Sequence, residues 1–310
     1  MAETARIAIC VPTFKRPVGL KRLLEGINEI DLPDPAPDVK IVIVDNDPDR
    51  GAAALIEELK PTLRFPVSYS HQTKRGISPS RNQALNDAGN VDWIVFIDDD
   101  ERPEKNWLTE LLRVQQEYQA DVVQGPAEPI YDIDPPAWIV KGNFFRRPRF
   151  KTGHLLDRGS TRNILFRADL SHKLGAQFDL RLALLSGEDG LFFRNAYLSG
   201  FKIVWADEAL VWEWIPEDRM IAKYLIRRQF ATGCQDGVIG MTLFKPPKAQ
   251  LRLIAKAAYR IVYGSLKACA GLILGKRILV NGIQDIAHGV GRIVGMLGIL
   301  PEQYRVTQGK

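Results

Sequence analysis

The 310-residue chain is poor in the residues that build disulfide and metal-thiolate chemistry. It has three cysteines, Cys10, Cys234 and Cys269, and four histidines. An odd and scattered cysteine set excludes a disulfide framework and fits a reducing compartment. No Cys-x-x-Cys pair is present, which argues against zinc. No run of 18 uncharged apolar residues occurs, so no membrane-spanning helix is predicted. The segment Met1-Ala2-Glu3-Thr4-Ala5-Arg6 lacks the apolar region of a secretory signal. Internal repeats and low-complexity tracts are absent as well.

The composition is that of a globular protein, with 45% hydrophobic and 25% charged residues, so material for a core is ample. The net charge of +5 is unevenly spread. Residues 251–310 carry nine Lys/Arg against two Asp/Glu, a balance of +7, so the first 250 residues balance near −2. The basic charge lies in an apolar tail, not in an aromatic-rich basic groove, which argues against nucleic acid as a partner.

Over the first 125 residues strand and helix signals alternate. Strands are expected at Arg6–Val11, Val39–Val44, Val67–Ser70, Trp93–Ile97 and Asp121–Gln124. Helices are expected at Val18–Ile30, Gly51–Leu59, Ser78–Ala88 and Glu104–Tyr118, with Pro17 and Pro79 in first turns. This rhythm predicts an α/β domain with a mostly parallel sheet and helices on both faces. Residues 126–160 break it with Pro126, Pro129, Pro135, Pro136 and Pro148 among aromatics. That segment reads as a packed irregular loop region over a sheet edge, where binding clefts form. Order returns with a strand at Asn163–Phe166, a helix from Gly187 to Leu198, extended pieces at Lys202–Trp205 and Ala209–Trp212, and a helix from Arg219 to Gly233. Residues 245–250 read as a linker.

The tail that follows predicts amphipathic helices. Arg252, Lys256, Arg260 and Lys267 share one face of a helix over Leu251–Lys267, and apolar residues fill the rest. Further apolar stretches span Ala268–Gly275 and Ile293–Leu300, with Lys276-Arg277 between them. Such a helix suits the interface of an anionic membrane; a core helix that snorkels its basic side chains is the other reading.

The segment Ile94-Val95-Phe96-Ile97-Asp98-Asp99-Asp100-Glu101-Arg102-Pro103 carries the chemistry. An apolar run that reads as a buried strand meets three adjacent aspartates at its carboxyl end, where open α/β sheets bind ligands. Crowded carboxylates repel one another unless a cation sits among them. Mg²⁺ and Mn²⁺ take oxygen ligands, often one or two carboxylates plus substrate phosphates. From this segment alone a metal–nucleotide site and a solvated acidic turn both remain open. Three other segments fall at the same sheet edge: Val11-Pro12-Thr13-Phe14-Lys15-Arg16-Pro17, Val44-Asp45-Asn46-Asp47 and Arg75-Gly76-Ile77-Ser78-Pro79-Ser80-Arg81-Asn82. A second carboxylate pair, Ser186-Gly187-Glu188-Asp189-Gly190, sits at a helix start, where spacing alone also fits helix capping.

As an ensemble these segments, with Ser186–Arg194, resemble the family 2 glycosyltransferases of GT-A (Rossmann-like) fold, and among them bacterial exopolysaccharide enzymes of the succinoglycan type. The resemblance covers residues 6–235. It implies a nucleotide-sugar-binding half at 1–125, an acceptor-binding and catalytic half of the same domain at 126–244, and leaves 245–310 as the basic tail. It implies transfer of a sugar, usually from a UDP-linked donor, to a hydroxyl of a glycan or lipid-linked oligosaccharide. Pro12, Thr13 and Arg16 would lie along the nucleoside, Asp45 at the base, Arg75 and Arg81 beside base and phosphates, and Asp98 near the ribose. Asp100 would bind Mn²⁺ or Mg²⁺. Asp189 would be the base that takes the acceptor proton, with Glu188 orienting the acceptor. Many relatives place a histidine as a further metal ligand near Val211–Pro216; here Glu213 is the substitute. Arg227 and Arg228 resemble a basic helix that contacts the diphosphate; a solvated basic face is the other reading. Trp138, Trp212 and Trp214 are candidates for stacking on sugars, or for core packing. The expected reaction is inverting and metal-dependent, at the inner face of the cell membrane. Two rival readings are a nucleotidyltransferase, which would normally show a glycine-rich loop after the first strand, and a non-catalytic nucleotide- or glycan-binding protein docked at the membrane.

Overall fold

The computed structural model describes residues 4–184, 187–244 and 247–299. Ser186, the start of the 245–250 linker and Leu300 lie outside the described residues. In chain order the elements are β1 (Arg6–Thr13), α1 (Pro17–Asn28), β2 (Asp38–Asp45), α2 (Ala53–Leu59), β3 (Val67–His71), α3 (Ile77–Ala88) and β4 (Trp93–Phe96). Next come β5 (Glu101–Pro103), α4 (Trp107–Tyr118), β6 (Val122–Gln124), β7 (Ala127–Tyr131), α5 (Ala137–Gly142), β8 (Leu155–Leu156), β9 (Ile164–Arg167) and α6 (Leu170–Leu174). The rest are α7 (Glu188–Leu198), β10 (Ile203–Trp205), β11 (Val211–Ile215), α8 (Ala222–Leu243), α9 (Lys248–Leu274) and α10 (Lys276–Met296).

The main sheet has the order β3-β2-β1-β4-β9-β6-β10-β8. Its first four strands are parallel, as the alternation of elements requires. Beyond β4 it is mixed, because β9 runs antiparallel between β4 and β6. β1 lies at the centre and is apolar on both faces. Ile7, Ile9 and Val11 face the layer of α1, α2 and α4, while Ala8 and Cys10 face the layer of α3 and α7. On the second face Phe96, Phe166, Phe178, Phe192 and Phe193 pack edge-on and stacked.

The 126–160 segment is more ordered than its prolines suggest. β7 pairs with β11, and β11 with β5, in a second, three-stranded sheet beside the strand ends. The proline-rich stretch supports this because Pro129 sits in β7, which pairs only with β11. Trp138, Trp212 and Trp214 each have protein partners: Trp138 packs on Phe144 and under Lys276, Trp212 donates to Glu104, and Trp214 lies under Arg22.

The carboxyl-terminal helices run longer than the sequence pattern predicts. α8 continues to Leu243, α9 runs through the apolar stretch to Leu274, and Lys276-Arg277 open α10. By length and composition the segment Gln250–Leu274 is long and apolar enough to cross a membrane, with mean hydropathy 1.2. The sequence expectation differed because it required an uncharged run, and Lys256, Arg260 and Lys267 interrupt this one.

α8, α10 and α9 pack in that order through small residues. Gly233 and Gly237 of α8 lie against the α10 backbone at His288 and Arg292, and Gly291 and Gly295 of α10 lie against Phe230 and Cys234. Gly264 and Gly271 of α9 meet α10 at Gly282 and Leu279 in the same way. A side chain at these positions would force the helices apart, so the seams are backbone-to-backbone.

Candidate active site

Four strand ends and one helix start converge. At the end of β4, Asp98, Asp99 and Asp100 point in different directions and acquire different partners. Asp99 is buried and faces the β1–α1 turn. It accepts from Thr13 Oγ1 at 2.8 Å, from the Phe14 backbone N–H at 3.4 Å and from Arg16 Nη1 at 2.8 Å. Burial pushes its carboxyl up, and Arg16 and Thr13 work against that shift. The middle aspartate thus ties β4 to β1. Thr13 and Arg16, expected along the nucleoside, are engaged with the acidic cluster, while Pro12 closes β1 beside them.

Asp100 accepts from Arg16 Nη1 at 2.9 Å and pairs with Arg219 Nη1 at 3.2 Å. Arg219 Nη1 also lies 3.8 Å from Glu213 Oε1. β11 sets this geometry, since Glu213 is in register with Glu101 and the Trp214 N–H donates to the Asp100 carbonyl. Glu213 Oε2 lies 3.2 Å from Arg162 Nη1. Burial pulls the Glu213 carboxyl up, but Arg162, Arg147, Arg228 and Arg219 outweigh it and bring it down to about 2. Asp100 and Glu213, the expected metal ligands, are therefore neighbours that share one guanidinium.

Asp98 faces the opposite way. Arg81 Nη2 is 3.5 Å from its Oδ1, and Arg162 Nε 4.0 Å from its Oδ2. Arg81 is buried on α3, and its other nitrogen pairs with the fully buried Glu188 at the start of α7. One guanidinium so joins the strand-end aspartates to the second carboxylate pair. Behind them Glu101 is buried; its Oε2 accepts the Asp98 N–H, while its Oε1 accepts no hydrogen bond and lies 3.9 Å from Arg162 Nε. Burial and then Asp98 hold its carboxyl well above the usual range.

Asp189 is held from three sides. Its Oδ2 accepts from Ser160 Oγ at 3.0 Å and the Thr161 N–H at 3.2 Å, and its Oδ1 accepts from the Gly190 N–H at 2.7 Å. Burial raises its carboxyl, but the charge of Arg81 and these hydrogen bonds more than offset it, so the net shift is downward. The group is an oriented, ionised carboxylate. Ser160 also lines an open pocket of about 200 Å³, with Arg147, Phe150, Arg162 and Trp205 on its walls. Phe150 and Trp205, and not the three tryptophans singled out from sequence, are the aromatic side chains that line this pocket.

The remaining expected residues divide. Asp45 is buried at the end of β2, and both its oxygens are engaged by the Asp47 N–H, the Ala52 N–H and Tyr69 Oη. It shapes the β2–α2 turn, with one hydrogen bond on Oδ1 and two on Oδ2, which leaves Oδ1 able to accept a further one. Arg75 is exposed in a loop knitted by Asn46, which donates to the Gln72 and Lys74 carbonyls and accepts the Gly76 N–H. Gly76 has φ +126°, and a Cβ there would meet the Ala183 carbonyl at 2.7 Å, so glycine is required. Arg228 is half-buried and its charge reaches Glu213, whereas Arg227 is exposed. The sequence pattern assigned no role to Arg162, which pairs with three carboxylates. Its only local signal is the polar run Ser160-Thr161-Arg162-Asn163 directly before a strand.

A divalent cation fits the chemistry of this donor set with a condition. Asp100 and Glu213 offer the oxygens hard cations prefer, and Arg219 shows that a positive charge is stable between them. Among the described residues no group of three or more His, Cys, Asp or Glu is arranged around one point. The arrangement suits binding through one or two carboxylates completed by substrate phosphates.

Residues 8–174 match glycosyl transferase family 2. The chain is similar to succinoglycan biosynthesis protein ExoM of Rhizobium meliloti, with 35% identity over 236 residues that span 76% of this chain and 75% of that protein. Its fold is similar to that of mannosyltransferase PcManGT from Pyrobaculum calidifontis in complex with GDP-Man and Mn²⁺, with TM-score 0.64, 17% identity and coverage of 94% of this chain and 88% of the other. It is also similar to S. aureus TarS 1-349 in complex with UDP-GlcNAc, with TM-score 0.54, 16% identity and coverage of 94% and 92%. These are GT-A-like folds, in keeping with the mixed, mainly parallel sheet described above.

Proposed function

The chain belongs to glycosyl transferase family 2, and we propose that it moves a sugar from a nucleotide diphosphate donor onto a hydroxyl of a surface or exopolysaccharide glycan. The observation that supports this reading is the bridge from Asp98 through Arg81 to Glu188, which joins the end of β4 to the start of α7, next to Asp189. The likeness to ExoM supports an exopolysaccharide product, and the complexes of the two fold relatives support a nucleotide-sugar donor.

The reaction is a single displacement with inversion. An acceptor hydroxyl in the pocket beside Ser160 gives its proton to Asp189 as its oxygen bonds to the anomeric carbon. The bond from that carbon to the diphosphate oxygen breaks, and the electron pair leaves with the nucleoside diphosphate. An α-linked donor yields a β-glycoside. Asp189 with a lowered pKa is a weak base in the resting enzyme, but the acceptor proton becomes acidic as its oxygen forms the new bond. Ser160, Thr161 and Gly190 fix the carboxylate, so no reorientation is needed at that moment. Arg16, Arg219 and Arg228 stand where charge builds on the leaving group. Asp100 and Glu213 would hold Mn²⁺ or Mg²⁺, which acts as a Lewis acid on the diphosphate when bound. Glu188, neutralised by Arg81, fixes α7 and the acceptor side. A lipid-linked oligosaccharide is the acceptor most consistent with the tail described below.

The test is a screen of UDP- and GDP-sugars with Mn²⁺ and with Mg²⁺, following release of nucleoside diphosphate. Release of pyrophosphate instead identifies a nucleotidyltransferase. Donor binding without turnover, unchanged in Asp189→Asn, identifies a non-catalytic binder.

A further inference from the structure

Helix α9 is built inside out for a water-soluble protein. Its buried positions are Ala257, Gly264 and Gly271, seven residues apart and all small. Its large apolar side chains are outside: Leu251 is 68% exposed, Val262 62%, Leu266 66% and Ile273 88%. They lie 11, four and seven residues apart, which keeps all of them within about 60° of one another around the axis, so they share one face of a helix of 27 residues, about 40 Å long. From Leu251 to Ile273 that sector holds no charged side chain. A soluble amphipathic helix buries its large apolar residues and exposes the small and charged ones. Small residues at helix contacts and large apolar residues outside is the pattern of helices packed in lipid.

Charge selects the occupant. Between Lys248 and Arg277 there are seven Lys/Arg and no Asp/Glu. Arg260 and Lys267 are paired with Asp285 of α10 at 2.6 and 2.7 Å. Lys248, Arg252 and Lys256 are exposed at one end of the apolar face, and Lys276 and Arg277 at the other. A second copy of the chain would bring like charge against like charge over the same face. An anionic bilayer offers opposite charge to both ends and hydrocarbon to the middle. Tyr259 and Tyr263 stack on one another, and Lys267 sits over the Tyr263 ring, at the edge of the face. That is the placement aromatic residues take at the headgroup level.

The depth of insertion follows from what lies behind α9. α10 carries Asp285, His288 and Arg292 toward α9 and α8, with Arg292 and His288 against Asp236. A spanning α9 would draw this charged seam into hydrocarbon, which is costly. We propose that the α9–α10 hairpin docks the enzyme on an anionic membrane with α9 lying in the interface plane, its outer face inserted and its basic ends on the headgroups. The hairpin then acts as a fixed strut, because α10 packs directly on α8, the helix that carries Arg228. The inference rests on the packing of the tail alone and is independent of the transfer reaction.

Cys269 is exposed, whereas Cys10 and Cys234 are buried. Cys269 also lies on the outer face of α9, so it reports on insertion in the otherwise unaltered chain. The full chain is labelled there with an environment-sensitive fluorophore and mixed with phosphatidylglycerol-containing or pure phosphatidylcholine vesicles. The expected result is a blue shift, quenching by nitroxide-labelled acyl chains, and co-sedimentation at least tenfold stronger with the anionic vesicles. Leu266→Glu/Ile273→Glu is expected to reduce vesicle binding at least tenfold, and Lys276→Gln/Arg277→Gln to reduce only its anionic component. Melting curves and donor turnover in solution stay at the parent level. The proposal is overturned if the label stays in water with both vesicles. It is equally overturned if the double glutamate variant binds as the parent does, or if the parent sediments as a dimer that this variant dissolves.

Discussion

The sheet domain and the tail hairpin solve packing in opposite ways. In the domain the largest apolar side chains are the most buried, as at Phe96, Phe166 and Trp107. In α9 the buried positions are Ala257, Gly264 and Gly271, which meet Gly289, Gly282 and Leu279 of α10, and its large side chains face outward. The contrast is a difference of solvent. Water drives the first arrangement through the transfer of apolar area. Where the surroundings are themselves apolar, that force vanishes and close backbone approach takes over. The two proposals divide along the same line, transfer at the strand ends and membrane docking at the hairpin.

The sharpest break of this division would be a mixed phenotype. Asp189→Asn is nearly isosteric and removes the proton acceptor, so transfer should fall 10²- to 10⁴-fold. Donor binding, measured by calorimetry, and vesicle binding should both stay at the parent level. A parent-like rate of transfer in this variant would show that another group takes the proton. Loss of vesicle binding would show that the two regions are one functional unit.

The packing contrast itself is tested by truncating one large apolar side chain in each region. Phe96 is fully buried among four other phenylalanine rings, so Phe96→Ala should destabilise the domain by about 3–5 kcal/mol. Leu266→Ala removes a large aliphatic side chain that is 66% exposed, so in solution it should alter stability by less than about 0.5 kcal/mol. Urea unfolding without vesicles measures both. A cost above about 2 kcal/mol at Leu266 would mean that the outer face is covered by protein.

A smaller effect is expected at the seam. A Cβ at Gly295 would collide with the Cys234 carbonyl of α8. Backbone cannot yield as a flexible side chain does, so Gly295→Val should destabilise hairpin docking by about 1–3 kcal/mol. The loss should appear as faster amide exchange in α10 with the sheet unaffected. Exchange unchanged in α10 would mean that the helices are not in backbone contact.

Much of this was legible in the chain, for identifiable reasons. The first four strands and their helices are local patterns with caps and prolines, and the parallel order follows from their alternation. Asp98–Asp100 were found because an apolar strand leads directly into them. What the motif does not reveal is that its three carboxylates diverge, Asp99 to Thr13, Asp98 to Arg81 and Asp100 to Arg16 and Arg219. The turn built on Asp45 was hidden because its partners, Ala52 and Tyr69, are seven and 24 residues away. Arg162 was missed since its carboxylates come from the turn after β4, from β5 and from β11, which only tertiary structure assembles. In the tail the apolar excess and basic stripe were visible. The recurrence of small residues at 257, 264 and 271 was not read from the sequence, because only the packing of α10 against them tells which face is inside.

The smallest expected effect lies at the boundary between the two regions and depends on pH. His288 is buried in the α8–α10 seam. Burial lowers its pKa to about 4, with Asp236 pulling the other way and Arg260 and Arg292 adding to the shift. The folded seam therefore holds a neutral imidazole, while the unfolded chain has the ordinary value of 6.5. Above that value neither state binds the proton and the contribution to stability is complete. As pH falls from about 6.5 toward 4, the unfolded chain takes up a proton that the seam refuses, so docking weakens. One pKa unit corresponds to about 1.4 kcal/mol, so the loss between pH 7.5 and 5.5 should be about 1 kcal/mol. A label on Cys269 should report it as an earlier urea midpoint for the hairpin. His288→Gln keeps a polar side chain of similar reach but cannot titrate, and it should flatten the pH dependence while leaving the midpoint at pH 7.5 within about 1 kcal/mol of the parent. An equal pH dependence in both proteins would place the titrating group elsewhere, and the seam would then be no more sensitive to acid than the sheet it adjoins.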